Sequence, residues 1–73
     1  HMIPLDKCPR GTKVKVARLC EDARCRCRLC ALGLTPGVVA EVCESGDSCR
    51  VSVRGGEVCL GAGLAGRVVV TPV

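Results

Sequence analysis

The sequence predicts a mainly β fold, a small barrel of about five antiparallel strands with one short helix between the first and second strands. Three observations lead there. Short runs with apolar residues in alternate or continuous positions recur along the chain, separated by breaks rich in Gly, Pro, Asp and Ser. The pair Gly55-Gly56 stands between two such runs and signals a tight hairpin. The segment from Arg24 to Gly37 spells a short helix, its stop and a turn into a strand.

The first strand is Thr12 to Val16, where Val14 and Val16 alternate with lysines after a Pro9-Arg10-Gly11 turn. Arg18 to Asp22 then leads into the helix. At 100° per residue Cys25, Leu29 and Leu32 form one apolar stripe, and Arg24 and Arg26 point away from it. The acidic pair Glu21-Asp22 precedes the three arginines, which suits the helix dipole, and Gly33 followed by Thr35-Pro36-Gly37 ends the helix. Val38 to Cys43 is the second strand, Glu44 to Ser48 a loop, and Cys49 to Arg54 the third strand. Positive φ at both glycines of the hairpin turn returns the chain into a fourth strand, Glu57 to Leu60. The small residues Gly61 to Gly66 make a crossing of about one helical turn before Arg67 to Thr71 closes the fold. No repeat or linker interrupts the chain, so residues 3–73 are expected to form a single domain.

Composition narrows the function. A chain of 73 residues builds one small core, and with no Phe, Tyr or Trp that core must be Val, Leu, Ala and Cys. Base stacking on aromatic platforms is excluded with it, which argues against nucleic acid as partner. No apolar stretch approaches the roughly 20 residues of a membrane helix, and His1-Met2 reads as the scar of a cleaved tag before a native Met. With His1 set aside no Cys–His or Ser–His pair can be built, and no carboxylates sit in an acid–base motif, so an enzyme is not expected. Gly61-x-Gly63-x-x-Gly66 has dinucleotide-fingerprint spacing but lacks the crossover helix and the βαβ unit of roughly 30 residues that the fingerprint requires.

The eight cysteines are the sharpest ambiguity. In a secreted chain eight would mean a disulfide scaffold with 105 possible pairings. Here Cys25 lies on the helix stripe and Cys49 on the apolar side of a strand, positions where Val or Leu would serve, so the reading is reduced, intracellular thiols acting as small hydrophobes. Cys27-Arg28-Leu29-Cys30 is a Cys-x-x-Cys with Cys20 and Cys25 just upstream, which opens a zinc, iron–sulfur or redox reading, the flanking arginines favouring reactivity. Against it, Cys25 faces away from Cys27 and Cys30 on a helix and no second Cys-x-x-Cys completes a four-ligand set. No metal and no cofactor is expected on balance.

Leu29, Leu32-Gly33-Leu34, Pro36-Gly37, the Val51-Ser52-Val53-Arg54-Gly55 strand and turn, Leu60, Ala65 and Val68-Val69-Val70 together resemble the FeoA family, ferrous iron transport protein A. The most specific element is the arginine-rich helix running into Leu-Gly-Leu-x-Pro-Gly, followed about 15 residues later by Val-x-Val-Arg-Gly. The resemblance covers almost the whole chain. It implies an SH3-like barrel in the cytoplasm that assists, without catalysis, the membrane iron transporter FeoB, whose cytoplasmic end carries a GTP-hydrolysing domain. Cysteine stands at Cys8, Cys25, Cys30 and Cys49 where the family usually has aliphatics, and Cys59 where it has a small residue; the segment Gly61 to Gly66 is also barer than the family's charged turn. The alternatives that stay open are a cysteine-based metal-binding or redox protein, and a stand-alone relative of the C-terminal barrel of metal-dependent repressors.

Charge suggests where a partner would dock. Residues 1–36 carry a net charge of +5 and the remainder −1. The basic side is the first strand and the helix, so Arg24, Arg26, Cys27 and Cys30 are the candidate partner-binding residues, facing an acidic surface on the permease. The competing readings are a solvated face and a docking surface for phosphate-rich membrane headgroups.

Overall fold

The computed structural model describes residues 1–73, apart from the side chain of Ala62. Its described residues form a six-stranded antiparallel sheet in the order β1-β6-β2-β3-β4-β5, with β1 Ile3–Pro4, β2 Lys13–Arg18, β3 Val39–Glu44, β4 Ser48–Val53, β5 Gly56–Gly61 and β6 Val69–Pro72. Helix α1 spans Ala23–Ala31 and α2 spans Ala62–Ala65; a 3-10 turn covers Leu5–Lys7. The extra strand relative to the sequence reading is β1, whose Ile3 and Pro4 pair with Val70 and Val69. A strand of two residues ending in proline carries no alternation to read, and proline is tolerated because β1 lies at the sheet edge.

Alternation sets the core as anticipated. Val14 and Val16 of β2, Ala40 and Val42 of β3, and Cys49, Val51 and Val53 of β4 point inward, joined by Leu29, Leu34, Leu60, Val68 and Val70. One apolar cluster holds the fold, and among the described residues no charged or polar residue is buried within it. The sheet curls over this cluster, and α2 carries the chain between β5 and β6, packing on β4, β5 and the 3-10 turn. Among the described residues no helix is long and apolar enough to cross a membrane.

The helix stop is a Schellman motif. Gly33 has φ +90°, its N–H donates to the Cys30 carbonyl at 3.0 Å, and the Leu34 N–H donates to the Leu29 carbonyl at 3.0 Å. Leu29 and Leu34, the two ends of that longer bond, are both fully buried. This corrects the expected stripe: Leu32 is the C-cap and remains 37% exposed, because the chain leaves the helix there and Leu34 takes the buried place. The hairpin is also shifted by one residue. Positive φ falls at Arg54 (51°) and Gly55 (80°), while Gly56 already pairs with Val53, so Gly56 opens β5 instead of closing the turn.

The cysteines divide. Cys20 and Cys25 are joined by a disulfide, their Cα atoms 6.4 Å apart, which overturns the reading of eight free thiols. The loop before α1 folds back over the first helical turn, so Cys20 meets Cys25 although the two lie on no common element. Among the described residues the other six are free: Cys8 and Cys49 buried, Cys43 half-buried, and Cys27, Cys30 and Cys59 exposed. Cys25 and Cys49 are core residues as expected; Cys30 is not.

Candidate functional site

Helix α1 begins where Asp22 can cap it. The Asp22 Oδ1 accepts from the Arg24 N–H at 2.9 Å, satisfying one of the donors that every helix start leaves open. The same loop consumes Arg26, whose Nη1 donates to the carbonyls of Glu21 and, at 3.5 Å, Cys20. Arg24 and Arg26 therefore do not share a face; two residues rotate a helix by about 200°. Arg26 braces the loop, and Arg24 faces the other way.

Arg24 instead lines an open cleft of about 510 Å³ between α1 and α2, with Arg28 one turn along the same helix and Arg67 on the opposite wall. Cys25 and Leu64 give the cleft an apolar floor. Arg67 is set by the exit from α2, where its N–H donates to the Leu64 carbonyl at 3.1 Å and the Val68 N–H to the Ala65 carbonyl at 3.2 Å. A second cleft adjoins on the far side of Arg67 and carries mixed charge, with Arg18 beside Glu21 and Asp22.

Of the four residues the sequence singled out, Arg24 alone lines the α1–α2 cleft; Arg26 lies on the loop side, and Cys27 and Cys30 are exposed outside both clefts. Two residues of the cleft were missed. Arg28 had a signal, the four-residue spacing from Arg24 that puts both on one helical face. Arg67 had none, since only the α2 crossing brings it opposite α1.

Elsewhere, among the described residues, Arg50 is the group that forms ion pairs. Arg50 of β4 pairs with Glu57 at 3.0 Å and Glu44 at 3.5 Å across the outer face of the sheet, and the Glu57 hydrogen bond raises its pKa further. Burial pushes the Cys8 and Cys49 thiols up, Asp6 adding to it at Cys8 and Cys8 itself at Cys49, which makes both poor nucleophiles and poor ligands. Among the described residues no three Cys, His, Asp or Glu side chains gather as a metal site would require.

A curled antiparallel sheet with a short helix inserted between two neighbouring strands, and a surface cleft at its helical end, defines a small SH3-like barrel. The FeoA domain matches residues 3–72, and the chain belongs to the FeoA family. It superposes on the crystal structure of an iron uptake regulatory protein, FeoA, with a TM-score of 0.92 at 36% identity, covering 100% of this chain and 99% of that one. A FeoA-like protein from Clostridium acetobutylicum gives 0.87 at 20% identity, covering 99% and 87%. The IdeR of T. acidophilum gives 0.90 at 20% identity over 99% of this chain but 34% of its own, a likeness of fold. Among curated proteins none matches.

Proposed function

We propose that this chain is a non-enzymatic accessory protein for ferrous iron uptake that acts in the cytoplasm by binding the cytoplasmic part of a FeoB-type membrane transporter. The observation that carries the reading is the family match from residue 3 to residue 72, which implies a role in ferrous iron transport. The surface agrees with it. A small barrel that keeps its apolar residues inside and leaves arginines on its helical end is equipped to meet an acidic partner, and charges of that kind act chiefly on association rate and salt dependence. The likeness to the IdeR barrel concerns the fold and does not favour a repressor role.

The test is association kinetics between this protein and the purified cytoplasmic domain of a FeoB-type transporter, at low and moderate salt. Saturable binding that slows with added salt is expected. Absence of association up to high micromolar concentration overturns the reading. One tightly held metal per chain, lost on replacing Cys27 and Cys30, would favour the cysteine-based metal-binding alternative in its place.

A further inference from the structure

We propose that the cleft between α1 and α2 is the docking surface for a carboxylate-rich segment of a protein partner, gripped by Arg24, Arg28 and Arg67. The inference rests on the reading of the chain as a partner-binding protein and assigns that binding to one place.

The cleft gathers uncommitted positive charge. Among the described residues the guanidinium groups of Arg24, Arg28 and Arg67 have no hydrogen-bond or ion-pair partner, unlike Arg26 and Arg50; Arg10, Arg18 and Arg54 are unpaired as well, and what distinguishes the three is that they line one cleft. Among the described residues no carboxylate lines this cleft. Arg24 and Arg28 are like charges four residues apart on one helix, an arrangement that costs a helix a few tenths of a kcal/mol until an anion lies between them. The chain keeps that repulsion and sets a third arginine across from it.

At the α1 start, which would otherwise favour phosphate, the Arg24 N–H already meets the Asp22 carboxylate, whose negative charge opposes a second anion there. Recognition is left to guanidinium forks, which pair with carboxylates in two parallel hydrogen bonds. Arg24 and Arg28 are separated by about 6 Å along the helix axis, and Arg67 stands on the facing wall, so the three address several anionic groups on one segment rather than a single small ion. Leu64 and Cys25 between them offer apolar contact to the stems of such side chains. A bilayer presents a plane, which a concave site does not fit, and nucleic acid would lack any aromatic to stack on. Glu21 and Asp22 line the adjoining cleft and repel acid there, so an acidic segment is confined to one side of Arg67.

The experiment is fluorescence anisotropy of labelled octaglutamate with the full chain, against octaglutamine. Octaglutamate is expected to bind and octaglutamine not. Arg67→Glu should weaken binding at least ten-fold and flatten its salt dependence, while Arg10→Glu, with the same change in net charge on the turn before β2, should change it less than three-fold. Inorganic phosphate at ten millimolar should leave the peptide bound, and vesicles containing phosphatidylserine should not bind. Should Arg67→Glu lose its circular dichroism spectrum, the Arg24→Gln/Arg28→Gln pair, which removes charge without reversing it, takes its place with the same expected direction. Equal losses from Arg10→Glu and Arg67→Glu, displacement by phosphate, vesicle binding, or no binding of octaglutamate would each overturn the proposal. The two readings fail separately: transporter association that survives Arg67→Glu removes this cleft and leaves the accessory role, whereas octaglutamate binding without transporter association removes the accessory role and leaves the cleft.

Discussion

Cys49 shows how a single residue is read twice, once as chemistry and once as volume. Its place in the alternation of β4 marks it as core, and the structure buries it completely beside Val51 and Val53. Cys8 is buried as well, its Sγ donating to the Pro4 carbonyl at 3.7 Å. That much was legible, because period-two alternation is a local property. Which cysteines stay outside was less so: Cys30 occupies a place where an aliphatic is usual and is exposed, since the helix buries only the arc of Cys25 and Leu29. Replacing Cys49 by Val should cost no more than the ~1.5 kcal/mol of a volume-conserving swap, while Asp there should unfold the protein. The thiol also sets a pH dependence. Burial holds the folded pKa of Cys8 and Cys49 above the ordinary value of 9.0, so the unfolded chain loses these protons first. Stability is then complete below pH 9 and falls as pH rises through and past it, at up to about 1.4 kcal/mol per unit for each thiol. Urea melts from pH 7 to 10.5 should show the decline, and Cys49→Val should reduce it; an identical alkaline slope in the two proteins would contradict the assignment.

At the level of elements, the signals that were legible are those written into a few adjacent residues. The helix and its stop followed from Gly33 and the Thr35-Pro36-Gly37 sequence, and the hairpin from its glycines. The stop stands at Gly33 as read, while the last place of the buried stripe and the hairpin turn are displaced by a residue or two for the same reason: the local pattern says that a turn is needed, and packing decides which residue enters it. Arg54 accepts positive φ so that Val53 can pair with Gly56, and Leu32 gives up its buried place to Leu34. The Cys20–Cys25 bond was not legible, because it depends on the path of the loop before α1. It closes a short loop, with a sequence separation of 5, so it restricts the unfolded chain only modestly. Loop-closure entropy assigns it about 2 kcal/mol. Reduction, or Cys20→Ser, should therefore lower stability by no more than that in thermal or urea melts, leave the sheet intact and loosen the first turn of α1. A loss of the whole fold on reduction would show that the crosslink, and not the apolar cluster, holds this end of the barrel.

On the scale of the molecule, the class of fold could be read because strand breaks and hydrophobic alternation were regular, and the net charge of +5 over residues 1–36 pointed to the helical end. The cleft itself could not. Its second wall belongs to Arg67, brought opposite Arg24 and Arg28 only after the chain has laid down three more strands and crossed over on α2. Short-range pattern carries no information about such a meeting, and the candidate set drawn from the helix alone mixed Arg24 with residues that face other ways.

The pairing of β1 with β6 has a topological meaning for the chain as a polymer. Ile3 lies opposite Val70, and the Val73 N–H donates to the Lys13 carbonyl at 3.1 Å, so the two chain ends run side by side at one edge of the sheet. The order in which the strands are connected is thus nearly circular, and the place where the circle is cut is a matter of convenience to the core. Joining Val73 to Met2 through a short Gly-Ser linker turns β6 and β1 into a hairpin, and new ends can be opened between Gly46 and Asp47 in the exposed connection of β3 and β4. Such a circular permutant should fold cooperatively, with the same strand pairing by amide hydrogen exchange and a stability within a few kcal/mol, roughly, of the parent. A permutant that is compact but without protected amides in β2 and β6 would mean that the β1–β6 edge has to form with the chain open between β6 and β1 before the rest of the sheet can close.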